Sequence, residues 1–482
     1  MREEIEEYVR SLGLDAYLVG GAVRDELLGL ESKDADFLVP GLDTEGLRRA
    51  LESHGRVEEL VVAGRLVGVR LHPHEQRIRK LAPAGIEFAP PRREESTGPG
   101  RHDFVIVADA SLSVADDMRR RDFTVNAMAR RLETGELVDP LGGRADLEAR
   151  VLRTVSAQSF REDPLRLVRA LRLVSQLGLE PDEALLEQMR EEAGSVRLVS
   201  GERVGGGLAA DGMGELSKLL LGSRPARALR LARDTGVLVA LLPEFEAAIG
   251  FDQESRYHDL TVDEHTFAVV QATADAGASL AVRLAALFHD LGKPHVAWRG
   301  PDGRLHYYAK PGASERGHAQ VGADLADAAL RRLRYPNALR ARVVRLVRRH
   351  MFQVGRGDAL RARRFLAKHG ESLAFELLDH KEADLRGKRG SGGEPPPLDQ
   401  IERVRAFRAT LSEERGSAHR LADLAVSGDD LIALGFRPGP VLGSVLRELL
   451  DEVVDDPSLN THAELVARAR RRLGGAARDP RA

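Results

Sequence analysis

Five short apolar segments punctuate the first 155 residues: AYLVG (16–20), ADFLV (35–39), LVGVRL (66–71), IEFA (86–89) and FVIVAD (104–109). Amphipathic stretches such as TEGLRRALESHG (44–55) separate them. Short apolar runs bounded by turn formers predict strands, and apolar positions repeating every 3.6 residues predict helices. Their alternation predicts one mixed α/β domain over residues 1–155. Past Phe160 the strand signals fade, and DPLRLVRALRLVSQLG (163–178) and SKLLLGSRPARALRLARDTGVLVALL (217–242) carry a helical period. Two Gly- and Pro-rich segments, GERVGGGLAADGMG (201–214) and RGSGGEPPP (389–397), interrupt the helices. These interruptions divide the helical remainder, and a last helical piece follows the second of them. The Arg-rich end, RARRRLGGAARDPRA (468–482), is expected to fray.

Composition narrows the chemistry. The 482 residues include no cysteine. That excludes a disulfide framework, a thiol nucleophile, a Cys-ligated zinc and an iron–sulfur cluster. No apolar run approaches ~18 residues, and the acidic, amphipathic start MREEIEEYVRSLGL is not a secretion signal. The expectation is a cytoplasmic protein that does not cross a membrane. Net charge is −3, and of 72 basic residues 8 are Lys, so arginine dominates. The local imbalance says more. From Arg331 to Lys368, 13 Lys and Arg stand against one acid, Asp358. Such a stripe suits a polyanion such as RNA, with solvated helix faces as the ordinary alternative.

In LVGGAVRDELLG (18–29) an apolar strand ends in Gly20-Gly21 and a helix begins, with Arg24 in its first turn. Two glycines let the backbone approach a phosphate, and the amides of a helix N-terminus face the anion. Asp34 and Asp36 follow at the start of the next strand. Residues two apart share a strand face, so these carboxylates repel one another unless a divalent cation, Mg²⁺ by ligand type, lies between them. Glu87 in GIEFAP is the candidate third carboxylate of a two-metal site.

Together these elements resemble the DNA polymerase β-like nucleotidyltransferase superfamily. RRRDFTVNAMA (119–129), DPLGGRADLEARVLRTV (139–155) and REDPLRLVRALRL (161–173) narrow the resemblance to class II tRNA nucleotidyltransferases and bacterial poly(A) polymerases. The resemblance implies Asp34, Asp36 and Glu87 in catalysis, the two aspartates holding Mg²⁺. It implies nucleotide binding by Gly20, Gly21, Arg24, Arg121, Asp122, Asn126, Asp163, Arg166 and Arg169. Arg121 and Asp122 would recognise the ribose. Asp163 and Arg166 would bond the base edge, an acceptor for an exocyclic amine beside a donor to ring acceptors. Asp163, standing before a proline, is also a good helix N-cap.

LAALFHDLGKP (284–294) sets His289 beside Asp290, with His265 upstream and His318, His350 and Asp384 downstream. This order resembles the HD-domain metal-dependent phosphohydrolases. The resemblance implies His265, His289, Asp290 and Asp384 as core ligands, with His318 and His350 for a second metal or for phosphate. Nitrogen and oxygen donors suit a transition metal such as Mn²⁺ or Ni²⁺, or Mg²⁺. Lys293 is a candidate phosphate partner or a helix-end cation.

Two places depart from the family pattern. SGER (200–203) is followed by VGGGLAADGMG before Glu215, an insertion that leaves Glu202 and Arg203 without a transferred role. APPRREESTGPGRHDF (89–104) has the composition of a mobile loop of the sort that sets nucleotide preference. No motif marks the chain beyond Leu398. The expected fold class is α+β and multidomain: a mixed-sheet nucleotidyltransferase head (1–155), an all-α neck (156–250), an HD-type body (251–390) and a helical tail (391–482). The implied activity is addition of CCA, or part of it, to tRNA 3′ ends from CTP and ATP, with a phosphohydrolase appended. The alternatives are a poly(A) polymerase, an enzyme adding CC or A alone, and a metal-dependent nucleotide or RNA phosphohydrolase. The expected partners are tRNA, ATP and CTP, with no membrane. Oligomeric state is left open.

Overall fold

The structure is a computed structural model that describes residues 2–31, 36–62, 65–96, 104–206, 213–254, 259–309, 316–355, 357–388 and 395–476. The chain forms two compact units, Met1–Pro243 and Glu244–Ala482.

The first unit opens with strands β1 (Tyr17–Val19), β2 (Asp36–Leu38), β3 (Gly55–Val62), β4 (Arg65–Pro73) and β5 (Ile86–Ala89). After these come β6 (Arg92–Ser96), β7 (Phe104–Ala108), β8 (Ala129–Arg131) and β9 (Leu137–Val138). Seven of them make a mixed sheet in the order β3-β4-β5-β2-β1-β8-β9. β2 and β5 run parallel, with Asp36 opposite Glu87 and Phe37 opposite Phe88. The two phenylalanine rings are buried and stacked with centroids 5.6 Å apart. Side chains alternate along a strand, so the pair that fills the core sets its neighbours, Asp36 and Glu87, together on the opposite face. A slip of one residue would exchange those faces.

All five expected strands form. The segment expected as a mobile loop does not stay irregular, because Arg92–Ser96 pairs antiparallel with Phe104–Ala108. Its charges hid the strand; the hairpin's tip, 97–103, lies outside the described residues.

After the sheet comes the helix Leu165–Leu177. Leu167, Val168, Ala170, Leu171 and Val174 are buried, and Arg166, Arg169 and Arg172 recur every third residue on another face.

The second unit is helical, with a short hairpin pairing Trp298–Arg299 and Leu305–His306. Helices Val262–Asp275, Leu280–Phe288, Asn337–Arg349 and Glu371–Arg386 form its main body. Further along, Ile401, Val404 and Phe407 pack with Ala362, Leu366 and Leu378. Leu431, Val445, Leu449, Val453 and Leu465 make a separate small core. The end expected to fray is helical to Ala476. There Arg468 bridges Glu452 and Glu464, at 2.5 and 2.8 Å, and Arg472 reaches Glu448 at 3.0 Å. Among the described residues no helix is long and apolar enough to cross a membrane.

Candidate functional site

Asp36 and Glu87 line a cavity of about 560 Å³ together with Arg121, Asp122, Asp163, Arg166, Arg169 and Arg203. Asp34 lies outside the described residues. Glu87 is not an isolated ligand: its Oε1 accepts from Arg70 Nη2 at 2.5 Å and Nε at 3.2 Å. Arg70 also approaches Glu58 at 3.5 Å, a cation inserted among carboxylates. Gly20, Gly21, Arg24 and Asn126 do not line the cavity but stand beside it. Gly20 has φ +70°, and a Cβ there would sit 2.5 Å from Arg121 Nη1. The positive φ is what calls for glycine, while the Arg121 guanidinium tip could swing aside. Arg24 donates to Asn126 Oδ1 at 2.6 Å and to Asp25 Oδ1 at 2.6 and 2.8 Å, which fixes the first turn of the Gly21–Leu27 helix.

The Asp122 carboxylate is buried at the junction of sheet and helix. It accepts from Phe123 N–H (2.9 Å), Asn126 Nδ2 (3.0 Å) and Arg169 Nε (2.8 Å). Burial alone would raise its pKa; the Arg169 guanidinium, aided by Asn126 and Phe123, outweighs burial and holds it far below the usual carboxylate range. Asp117, also buried, anchors Arg120 Nε at 2.9 Å and Arg121 Nη2 at 3.2 Å. Removing the cation from this partly exposed pair, Arg169→Ala, should cost about 1–3 kcal/mol, measurable by urea denaturation. Because the folded Asp122 binds a proton less readily than the unfolded one, its contribution is complete above about pH 4. It is lost as pH falls towards the depressed folded value. Asp122→Asn should flatten the loss of stability below pH 4.

Two sequence-designated residues play different parts. Arg166 is buried and donates to Ser159 O and Oγ, Glu162 Oε2 and Arg120 O, at 2.8–3.2 Å. It ties the helix to the sheet domain. Asp163 caps the helix start, accepting from Leu165 N–H at 3.1 Å. The same carboxylate is clamped by Arg203, Nη2–Oδ2 2.7 Å and Nη1–Oδ1 3.2 Å. Arg203 thus enters the cavity despite the Gly-rich insertion that follows it.

In the second unit His265, His289 and Asp290, and again Asp290, His318 and His350, bring ligand atoms within 4.8 Å of one another. The two triads share Asp290. His289 and His350 each follow a helix, and their Nδ1–H groups satisfy the terminal carbonyls of Ala286 (2.8 Å) and Val347 (2.7 Å). His318 Nδ1 bonds Tyr307 O at 2.9 Å, and His265 Nδ1 bonds Gly387 O at 3.3 Å. With Nδ1 donating, Nε2 is the lone-pair nitrogen of each ring that is neutral, and His289 Nε2 lies 3.3 Å from Asp290 Oδ2.

The Nε2 atoms of His289, His318 and His350 are buried without a hydrogen-bond partner. His265 Nε2 lies 3.3 Å from Asp384 Oδ1 and 3.6 Å from Asp290 Oδ2. Burial lowers the pKa of His265, His318 and, most strongly, His350, so these rings are neutral. For His289 the Asp290 charge overcomes burial and raises it. Against their own burial, His289 and Lys293 hold Asp290, and Lys388 and His265 hold Asp384, well below the usual carboxylate range. Neutral imidazoles with orphaned lone pairs around ionised carboxylates fit divalent metal. Lys293 is committed to this set: Nζ lies 2.6 Å from Asp290 Oδ2 and donates to Gln253 Oε1 at 2.7 Å.

His380 went unnoticed in the sequence. It is fully buried, its ring 5.1 Å from His289 and 5.7 Å from His350, both nitrogens without a hydrogen-bond partner. Burial pushes its pKa down to about 3. Its signal was the four-residue step to Asp384 on one helix, which places both on the same face.

The basic stripe is less cationic than its local count. Arg331 and Arg340 both pair with Asp327 at 2.6 Å, Arg342 with Glu376 at 2.5 Å and Arg364 with Asp455 at 2.9 Å. The acids come from outside the stripe's own stretch of sequence.

The family model described as the poly A polymerase head domain matches residues 16–153, and that of the HD domain matches 262–386. A region described as an RNA- and SrmB-binding site of polymerase A matches 178–249, and tRNA nucleotidyltransferase domain 2 matches 411–469. The last of these falls where the sequence showed no motif. Family models of the first two kinds imply use of divalent metal. The solved Bacillus stearothermophilus CCA-adding enzyme in complex with CTP has the same fold, with a TM-score of 0.64 at 23% identity. The alignment covers 98% of this chain and 97% of that one. A Thermotoga maritima CCA-adding enzyme complexed with tRNA aligns with a TM-score of 0.54 at 20% identity, covering 96% and 92%.

Among curated proteins, the multifunctional CCA protein of Leptothrix cholodnii is 35% identical over 93% of this chain and 98% of its own length. That of Thioalkalivibrio sulfidiphilus is 35% identical over 90% and 96%. The chain belongs to the family of multifunctional CCA proteins.

Proposed function

We propose that this protein adds CCA, or part of it, to the 3′ end of tRNA from CTP and ATP, and that its second unit hydrolyses phosphoesters. The observation that carries the first activity is a single cavity lined by Asp36, Glu87 and the Asp163–Arg203 pair. In the reaction the RNA 3′-oxygen bonds to the α-phosphorus, the bond to the bridging oxygen breaks, and pyrophosphate leaves. Asp34 and Asp36 would hold Mg²⁺, with Glu87 alongside, bridged to Arg70. Divalent cations held there supply charge neutralisation at the reacting phosphate.

The residues do the rest by positioning. Gly20 and Gly21 keep side chains out of the phosphates' path, and Arg24 and Arg121 bring cations to it. Asp122, locked by Arg169 and Asn126, sets the floor beside the ribose. Asp163 offers its carboxylate to a base amine. Its donor neighbour is Arg203, while Arg166 holds the frame. Adenine and cytosine both carry an exocyclic amine, so one carboxylate serves both nucleotides.

The domain roles follow this reading: head 1–155, neck 156–250, HD body 251–390 and tail 391–482. Incubation of the purified protein with tRNAs ending before CCA, after C and after CC, each with CTP, ATP or both, tests it. The expected product is completed CCA followed by arrest. Continued A addition would identify a poly(A) polymerase, and addition of C or A alone a partial enzyme.

For the second activity, His265, His289, Asp290 and Asp384 would hold one metal, and Asp290, His318 and His350 can share a second. Mn²⁺, Ni²⁺ and Mg²⁺ all suit this donor set. Such a metal supplies a water-derived nucleophile at neutral pH. Lys293 stabilises the ligand Asp290, and Lys381 and Lys388 line the cavity above Asp384, within reach of a substrate phosphate.

A further inference from the structure

Glu58, Arg70, Glu87 and Asp36 stand directly opposite one another on four adjacent strands, β3, β4, β5 and β2. Directly opposed residues share a sheet face, so three carboxylates and one guanidinium form a single row. Arg70, Glu87 and Asp36 line the cavity of the first unit. Like charges set opposite one another destabilise a sheet, and Arg70 is the row's cation.

The guanidinium is shared unequally. Nη2 and Nε donate to Glu87 Oε1 at 2.5 and 3.2 Å, whereas Nη1 reaches Glu58 Oε1 at 3.5 Å, the limit of a hydrogen bond. Glu58 is held facing it, because its other oxygen, Oε2, lies 3.1 Å from His72 Nε2. The hydrogen bond with His72, aided by the Arg70 charge, keeps the Glu58 carboxyl below the usual range and therefore ionised. The side chain of Arg70 is 29% exposed and those of Glu58 and Glu87 are 42% and 41% exposed, so a shift of the guanidinium does not disturb the core.

Resting on the reading of the first unit as a metal-dependent nucleotidyltransferase, we propose that Arg70 is a positioning residue that neutralises Glu87 beside Asp36 until metal binds, and that Glu58 is the acceptor to which it then moves. A guanidinium and a divalent cation repel one another across one carboxylate. Glu58 supplies a second anion within reach of the displaced guanidinium, so both cations stay paired. Arg70 thus keeps the two carboxylates of the cavity together, and the Arg70–Glu58 pair sets how tightly they hold metal.

Manganese chloride titrated into the full-length protein tests this apart from turnover, the free ion being read by electron paramagnetic resonance. The Asp36→Ala protein gives the ions bound elsewhere, which are subtracted. Arg70→Met should tighten manganese binding about fivefold, Arg70→Lys should return it to the unaltered value, and Glu58→Gln should weaken it about threefold. Arg70→Gln replaces the methionine variant should that one fail to fold. The double variant separates a moving guanidinium from a general field effect. With no guanidinium to receive, Glu58→Gln should change nothing further, whereas a field effect would add to that of Arg70→Met. Unchanged binding in Arg70→Met, or additive effects in the double variant, overturns the proposal. Equal binding by Asp36→Ala and the unaltered protein means that the cavity holds no manganese, and the nucleotidyltransferase reading falls as well. A difference between those two, with no effect of Arg70→Met, removes the proposal and keeps that reading.

Discussion

Asp36→Ala is expected to lower nucleotide incorporation into tRNA by at least about a thousandfold, equivalent to ~4 kcal/mol of barrier, with tRNA binding and thermal stability near those of the unaltered protein. Asp36 is exposed at the cavity wall rather than packed in the core, so the fold does not rest on it. Its removal leaves Glu87, already bridged to Arg70, as the described carboxylate on that wall. One partly neutralised acid cannot replace a pair aimed at a phosphate. Single-turnover incorporation on a tRNA lacking its terminal A, with binding measured by filter retention, reads both quantities. Incorporation within tenfold of the unaltered protein would remove the catalytic role from this wall.

The second large effect concerns the other unit. Asp290→Ala is expected to abolish phosphate release and leave nucleotide incorporation unchanged. This carboxylate is shared by both histidine triads and by Lys293. Its loss leaves the ammonium of Lys293 without its carboxylate partner and Asp384 as the remaining carboxylate beside the histidines, which disfavours a divalent cation electrostatically as well as by removing a ligand. Metal content by elemental analysis should fall with activity. Retained metal together with lost release would recast Asp290 as a substrate contact; loss of incorporation as well would mean that the two units depend on one another.

Local pattern revealed most of the framework because local sequence produces it. The five apolar segments became strands, and the Gly-Gly turn stands where a strand meets a helix. What escaped the sequence is created by pairing over distance. Arg92–Ser96 is too charged to read as a strand until Phe104–Ala108 lies beside it. Arg203 looked detached by the glycine-rich insertion, yet it meets Asp163 from 40 residues away. Arg166, the motif's arginine, lines the cavity and also holds the frame through Ser159 and Arg120. The charge of the basic stripe is likewise set over distance, since Asp327, Glu376 and Asp455, outside the counted window, pair with Arg331, Arg340, Arg342 and Arg364. His380 shows the reverse error: its spacing to Asp384 was visible, but histidine as a fifth ring in a known cluster had no motif to announce it.

The carbonyl bonds that fix His289, His318 and His350 have a thermodynamic consequence. Each imidazole takes its orientation from backbone that is already folded, and none needs a cation to hold its tautomer. Chelation should therefore leave the helices intact. The melting temperature would decline only by mass action, and reloading would follow a simple saturation curve without a refolding lag. In this protein the ion is a passenger of the architecture rather than its keystone.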